Sequence, residues 1–209
     1  MSGLYSGDQR ALRSGSSTRP CRVLLVGPPG AGKSTQGIAL ADRSGAAYVS
    51  TGALLREEVR RGSPIGQHAA ADMRAGRLVP DWLITFALER TLSDAMRTGF
   101  VLDGYPRTVE QAETFSRSLG GIRLDRVIEL DVPDHVALLR VARRFRDDDD
   151  ARTARARLET YRSETRPMID YFGATGLLMT VDGTGPPEVV ATALYELITA
   201  ETRRTSSWT

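Results

Sequence analysis

The stretch GPPGAGKSTQ, Gly27 to Gln36, decides how the rest of the chain is read. It holds the one lysine: of 28 basic side chains, 27 are arginine and Lys33 alone is lysine. A chain that writes its basic positions as Arg keeps a Lys only where guanidinium chemistry fails. An apolar run, Arg22 to Val26, precedes the stretch and a helical pattern follows it. The whole matches the G-x-x-x-x-G-K-[ST] phosphate loop, with Gly27, Gly32, Lys33 and Ser34 in register. Backbone N–H groups at such a helix start hold phosphates. Only a compact ammonium on a thin stem reaches into that cradle; the planar fork of Arg is too wide. The loop alone says nucleotide and leaves the reaction open.

Working outward, the 209 residues fit one domain with room for small insertions. The chain is 41% hydrophobic and 26% charged, ordinary proportions for a soluble globular protein. A net charge of +2 argues against a large nucleic-acid footprint, though local Arg clusters could hold small anions. A single cysteine, Cys21, excludes an internal disulfide and suits a reducing, cytoplasmic setting. It is expected just before the first strand, as a small buried hydrophobe. No stretch approaches the length of apolar sequence that spans a membrane. Residues 1–20 are rich in Ser, Gly and Arg and lack the apolar core of a secretory signal, so they are read as a disordered tail. Residues 203–209 are read as a frayed tail, which leaves 21–202 as the folded part.

Five short apolar runs alternate with helix-like segments: Arg22 to Val26, Ala47 to Ser50, Gly99 to Leu102, Arg126 to Val132 and Leu177 to Val181. Continuous apolar strands separated by helices predict an α/β fold, a five-stranded parallel sheet covered on both faces. Helices are expected at Lys33 to Arg43, Ala53 to Arg61, Ile65 to Ala75, Asp81 to Met96, Val109 to Leu119, Asp134 to Arg144, Asp149 to Tyr171 and Pro187 to Thr202. About 50 residues separate the second and third strands, which predicts a helical insertion over 51–79. Ligands of such a sheet gather at the carboxyl ends of its strands.

Three further stretches fall at those ends. In FVLDGYPRT, Phe100 to Thr108, a strand terminated by Asp103 puts a carboxylate beside the phosphate loop, where it can hold Mg²⁺ directly or through water. Gly104 and Pro106 then turn the backbone, and Arg107 returns to the same crevice. In LLRVARRFRDDDD, Leu138 to Asp150, the arginines Arg140, Arg143 and Arg144 share one helix face, with Arg146 following and Arg157 on the next helix. This cluster is either a clamp for several phosphates or a solvated basic face neutralised by Asp147 to Asp150. In STGALLREEV, Ser50 to Val59, the residues alone say no more than a capped helix carrying Arg56.

Together these stretches resemble the nucleoside monophosphate kinases, and among them the adenylate kinases, over about Arg22 to Ala200. GPPGAGKSTQ resembles the family phosphate loop, STGALLR its monophosphate segment and GFVLDGYPRTVEQA its most diagnostic motif. LDVPD, Leu130 to Asp134, and VDGTGPPEVV, Val181 to Val190, match the ends of the fourth and fifth strands. The resemblance implies reversible, Mg²⁺-dependent phosphoryl transfer from ATP to AMP giving two ADP, by a cytoplasmic monomer. It implies an ATP site at Gly30, Ala31, Gly32, Lys33, Ser34, Thr35, Arg140 and Arg144. Around AMP it implies Thr51, Arg56, Arg77, Val79, Gly104, Arg107, Gln111, Arg146 and Arg157. The catalytic set becomes Lys33, Arg107, Arg140, Arg146 and Arg157, with Ser34 and Asp103 toward Mg²⁺. Thr51 and Gln111 match positions that read adenine, and a Gln amide offers the donor and acceptor that adenine's edge requires. Guanine stays open at this point.

An acceptor phosphate is already anionic, so no general base is needed, and His68 and His135 are read as structural. The resemblance also implies two mobile pieces that close over the substrates, 51–79 and a short lid at about 144–150. Two departures from the family pattern stand out. Ala53 replaces the usual Asp of STGD and is expected to remove a carboxylate beside the AMP pocket. Ser34 replaces the usual Gly of GKGT and restores the general loop pattern. Two rival readings remain: a phosphate-loop kinase for another small molecule, and a non-catalytic nucleotide-binding paralogue.

Overall fold

The computed structural model describes residues 20–118, 124–143 and 150–205. Five parallel strands, β1 (Cys21–Val26), β2 (Ala47–Ser50), β3 (Gly99–Asp103), β4 (Arg126–Asp131) and β5 (Leu178–Asp182), form one sheet in the order β2-β3-β1-β4-β5. Their apolar runs are continuous because both faces are covered. Leu24, Val26, Phe100, Leu102 and Val127 belong to one buried cluster, and Val23, Leu25, Val101, Ile128 and Leu130 to the other. The alternation along β1 and β3 is the two-residue period of a strand distributed between two cores.

The helices are α1 (Lys33–Ser44), α2 (Thr51–Arg61), α3 (Pro64–Ala75), α4 (Asp81–Thr98), α5 (Val109–Ser118), α6 (Asp134–Ala142), α7 (Ala151–Thr160), α8 (Arg166–Ala174) and α9 (Pro187–Thr205). Local chemistry sets their starts. Ser50, Ser63 and Asp150 each accept a hydrogen bond from a backbone N–H in the first turn of α2, α3 and α7. Gly45, Gly62 and Gly76 end α1, α2 and α3 in the left-handed conformation. Register then decides what meets at the sheet's carboxyl edge. Asp103 pairs with Leu25 on one side and Ser50 on the other, so the end of β3 lies between the phosphate loop and the start of α2.

Several boundaries differ from the sequence expectation. Helix α2 begins at Thr51, not Ala53, because Ser50 is already its cap. Helix α6 ends at Ala142, with Arg143 as its cap, short of the expected Arg144. The helix expected over Asp149 to Tyr171 begins at Ala151 in α7, widens into a π turn at Tyr161–Thr165 and continues through α8 to Ala174. Pro167 supplies the reason: it has no N–H to give the preceding turn, and the wide turn, in which Arg166 N–H donates to Tyr161 C=O, falls directly before it. Cys21 is the first residue of β1 and only half-buried. Helix α9 runs to Thr205, into the expected C-terminal tail. Residues 1–19, Leu119, the lid at 144–149 with Arg144 and Arg146, and 206–209 lie outside the described residues. Among the described residues no helix is long and apolar enough to cross a membrane.

Candidate active site

The carboxyl edge of the sheet opens into a cleft of about 530 Å³. That lies within the usual range for small-molecule sites. Its floor is the phosphate loop between β1 and α1. Gly30 sits at φ +88°, and a Cβ there would meet the carbonyl oxygen of Ala137 at 2.2 Å, so only glycine lets the loop lie against α6. The Lys33 ammonium donates to the carbonyls of Gly27 at 2.7 Å and Pro28 at 2.9 Å, which lays it across the loop. Ala31, Gly32, Ser34 and Thr35 line the same floor.

Asp103 stands beside this loop and is 5% exposed. Its Oδ2 accepts from Tyr48 Oη at 2.9 Å and from Ser34 Oγ at 3.3 Å. Burial, with the Asp103 charge beside it, pushes the Tyr48 phenol up to about 12, so the phenol stays a donor. Gly104 turns the chain at φ +92°, where a Cβ would come within 2.5 Å of Thr51 Oγ1 and 3.3 Å of the Arg107 guanidinium. Thr51 Oγ1 in turn donates to Asp103 C=O at 3.3 Å. Beyond this turn Arg107 Nε donates to Gly104 C=O at 2.7 Å.

Arg107 is the centre of a cationic group. Burial pushes its guanidinium below the ordinary arginine range, Asp103 pulls it up, and the charges of Arg157 and Arg56 push it down again. It stays protonated, as guanidinium does in proteins. Arg56 from α2 and Arg157 from α7 thus both act on the charge of Arg107, in the β3–α5 turn, and all three line one cleft. A fold holds like charges together in this way where an anion is to be gripped. Helix α7 is brought there by its packing on the end of α3: Arg157 Nη2 donates to Met73 C=O at 3.4 Å, Thr153 Oγ1 to Arg74 C=O at 2.9 Å and Thr160 Oγ1 to Gly76 C=O at 3.1 Å.

The remaining residues singled out from sequence fall around these. Val79 is buried in the cleft wall, whereas Arg77 is exposed at its rim and donates to Asp72 through Nε at 3.0 Å and Nη2 at 2.7 Å. Gln111, 3% exposed, reaches the cleft from the first turn of α5. Arg140 lines the cleft from α6 and donates to Gly183 C=O at 2.8 Å and Thr184 C=O at 3.0 Å, which ties α6 to the β5–α9 loop. His68 is bonded to Pro64 C=O at 2.7 Å and packs edge-on against Trp82; His135 is exposed on α6. Ala53 is exposed and does not itself line the cleft, standing next to Thr51 and Gly52, which do. The sequence reading missed Tyr48 and Tyr161. Tyr161 lines the cleft and donates to buried Glu129 at 3.5 Å, its phenol pushed up by burial and by that carboxylate. Both act through partners distant in sequence, so no local motif announces them.

A phosphate loop, a strand-end carboxylate and converging arginines at the carboxyl edge of a β2-β3-β1-β4-β5 sheet define a phosphate-loop nucleotide kinase. The profile of the adenylate kinase family matches residues 25–177, and the chain belongs to that family. It is 43% identical over 175 residues to the adenylate kinase of Synechococcus sp. (strain WH7803), covering 83% of this chain and 96% of that one. It is 42% identical over 174 residues to the adenylate kinase of Thermus thermophilus, covering 80% and 91%. Against the adenylate kinase of Nocardia farcinica (strain IFM 10152) the figures are 41% over 172 residues, 81% and 94%.

Proposed function

We propose that this chain transfers the γ-phosphoryl group of ATP to AMP, reversibly, giving two ADP. The observation that carries the reading is the convergence of Arg56, Arg107 and Arg157 across Asp103 from the phosphate loop. The loop amides of Gly30 to Thr35 and the Lys33 ammonium hold the β- and γ-phosphates of ATP. Arg140 flanks ATP on the α6 side, and the family pattern assigns Arg144 to the same nucleotide. Arg56 and Arg107 grip the AMP phosphate, and Arg157, with Arg146 from the lid, spans donor and acceptor. Thr51, Arg77, Val79, Gly104 and Gln111 complete the AMP pocket, so that 51–79 is the acceptor-binding insertion and 144–150 the lid. The acceptor oxygen is already anionic, and the nearest histidines lie outside the cleft, so positioning and charge neutralisation do the work.

Mg²⁺ fits this site. Asp103 and Ser34 present a carboxylate and a hydroxyl 3.3 Å apart beside the loop. No cluster of three acidic, His or Cys ligands occurs among the described residues. A single carboxylate completed by phosphate oxygens is the usual donor set for this ion. When bound, Mg²⁺ would neutralise charge on the phosphates. The reading also takes the chain to act as a monomer in the cytoplasm, where one unpaired cysteine is at home.

The test is ADP formation from Mg-ATP with AMP, CMP, UMP and GMP offered separately, beside a Lys33→Ala control. Turnover confined to AMP and lost in the control is the expected result. Turnover with a different acceptor moves the chain to another phosphate-loop kinase; ATP binding without any turnover makes it a binding module.

A further inference from the structure

The Gln111 carboxamide is held at both ends by the protein. Its Oε1 accepts from the backbone N–H of Arg107 at 2.7 Å, and its Nε2 donates to Asp81 Oδ1 at 2.5 Å. An amide that is free to flip presents donor and acceptor in either order. Here flipping is blocked at both ends, because a backbone N–H can only donate and an ionised carboxylate can only accept. Each end still has capacity left, one hydrogen on Nε2 and one lone pair on Oε1. Gln111 is buried and lines the cleft on the AMP side, so that remaining pair is available to a base.

We infer that Asp81, together with the Arg107 N–H, sets the polarity of Gln111 and thereby makes the acceptor pocket select 6-amino over 6-oxo purines. This rests on the reading of the cleft as a nucleoside monophosphate site. Adenine offers an acceptor at N1 and a donor at its 6-amino group, which the locked amide matches. Hypoxanthine and guanine offer the reverse, a donor at N1 and an acceptor at O6. To take them, the amide must turn over, and each of its two protein contacts then sets donor against donor or acceptor against acceptor. Asp81 is a positioning residue, since it acts on the base only through Gln111. As the first residue of α4 it also favours that helix start, but a helix-start role alone would not distinguish one purine from another.

The probe is IMP, which reverses adenine's hydrogen-bond pattern and adds no further group. The wild-type enzyme is measured first with AMP and IMP. It is expected to prefer AMP by at least about 100-fold in kcat/KM, a lower bound for a site whose buried polar groups would otherwise be left mismatched. Asp81→Asn supplies an NH₂ that can donate to the flipped amide and removes one of the two mismatches. The AMP:IMP preference should then fall by about tenfold, carried by KM with kcat for AMP nearly kept. Asp81→Ala, which removes the acceptor without adding a donor, should lower the preference less. A folded, active Asp81→Asn enzyme with an unchanged AMP:IMP ratio overturns the assignment. If that variant fails to fold, an unchanged ratio in Asp81→Ala does the same. Wild-type failure to use AMP overturns instead the functional reading beneath it.

Discussion

Tyr48 and Ser34 donate to the same oxygen of Asp103, at 2.9 Å and 3.3 Å. The two donors come from opposite sides, one from β2 and one from α1, and they hold the carboxylate at the strand end facing the loop. The Tyr48 ring has its place because position 37 is glycine: a Cβ there would stand 2.5 Å from the ring. A residue of β2 thus aims a carboxylate of β3, which the parallel register of the two strands permits.

Tyr48→Phe keeps the ring and removes the donor. A lost hydrogen bond to a buried charged group costs about 1–3 kcal/mol in stability. With Asp103 held by one donor fewer, the Mg²⁺ concentration for half-maximal activity should rise several-fold, while KM for AMP changes little. A magnesium titration of wild type and variant decides it; identical titrations would remove Tyr48 from the metal site's support.

The same phenol gives a pH dependence with a definite sign. Its proton leaves near the ordinary 10.0 in the unfolded chain but near about 12 in the folded one. Between these values the unfolded state binds fewer protons, so stability falls as pH rises. The contribution is whole below 10 and lost on the way to 12. Cys21, pushed up from 9.0 to about 12 chiefly by burial, acts in the same direction from a lower starting pH. Urea unfolding at about pH 8 and about pH 11 should show the wild-type advantage over Tyr48→Phe shrinking at the higher pH. An advantage that grows would reverse the sign argued here.

Lys33 lies across the loop with its ammonium on two carbonyls, a seat for a compact cation with several donors. Lys33→Arg keeps the charge and loses the shape. It should cost at least about 100-fold in kcat/KM, nearly as much as Lys33→Ala, with the melting temperature little altered. An arginine variant within about tenfold of wild type would mean that charge alone is needed. The result bears directly on why one lysine stands among 27 arginines.

What could be read from sequence divides along the range of the interactions. The strands were legible because each is a continuous apolar run, and Lys33, Asp103 and Arg107 were legible because each sits in a contiguous motif. Tyr48 and Asp81 were not. Each acts on a residue far along the chain, Tyr48 on Asp103 and Asp81 on Gln111, and only sheet register or helix packing brings the pairs together. The π turn at Tyr161–Thr165 was hidden for a different reason. Helical periodicity continues through it, and the one visible sign, Pro167, follows the turn without being part of it. Ala53 shows the same limit: the STGA pattern places it beside the AMP pocket, but its exposure to solvent, next to the cleft-lining Thr51 and Gly52, is visible only in the folded helix.

That placement changes what restoring the carboxylate should do. Ser50 caps α2 by accepting from Ala53 N–H at 3.3 Å, and the first turn of α2 has no acid while its last turn carries Arg60 and Arg61. An aspartate at 53 would meet the positive end of the helix at the third position, where an acid completes a capping box. Its neighbour one turn on, Glu57, is already paired with Arg60 and Arg61, which limits repulsion. Ala53→Asp should therefore raise stability by about 0.3–1 kcal/mol, read as a higher melting temperature. Because position 53 is exposed and does not line the cleft, kcat/KM for AMP should stay within about twofold, a change smaller than any single lost hydrogen bond would give. A rise of about tenfold would instead mean that the new carboxylate reaches Arg56, one turn away, and aligns it on the acceptor phosphate. The melting curve and the AMP kinetics separate the two roles, since capping moves the first and alignment moves the second.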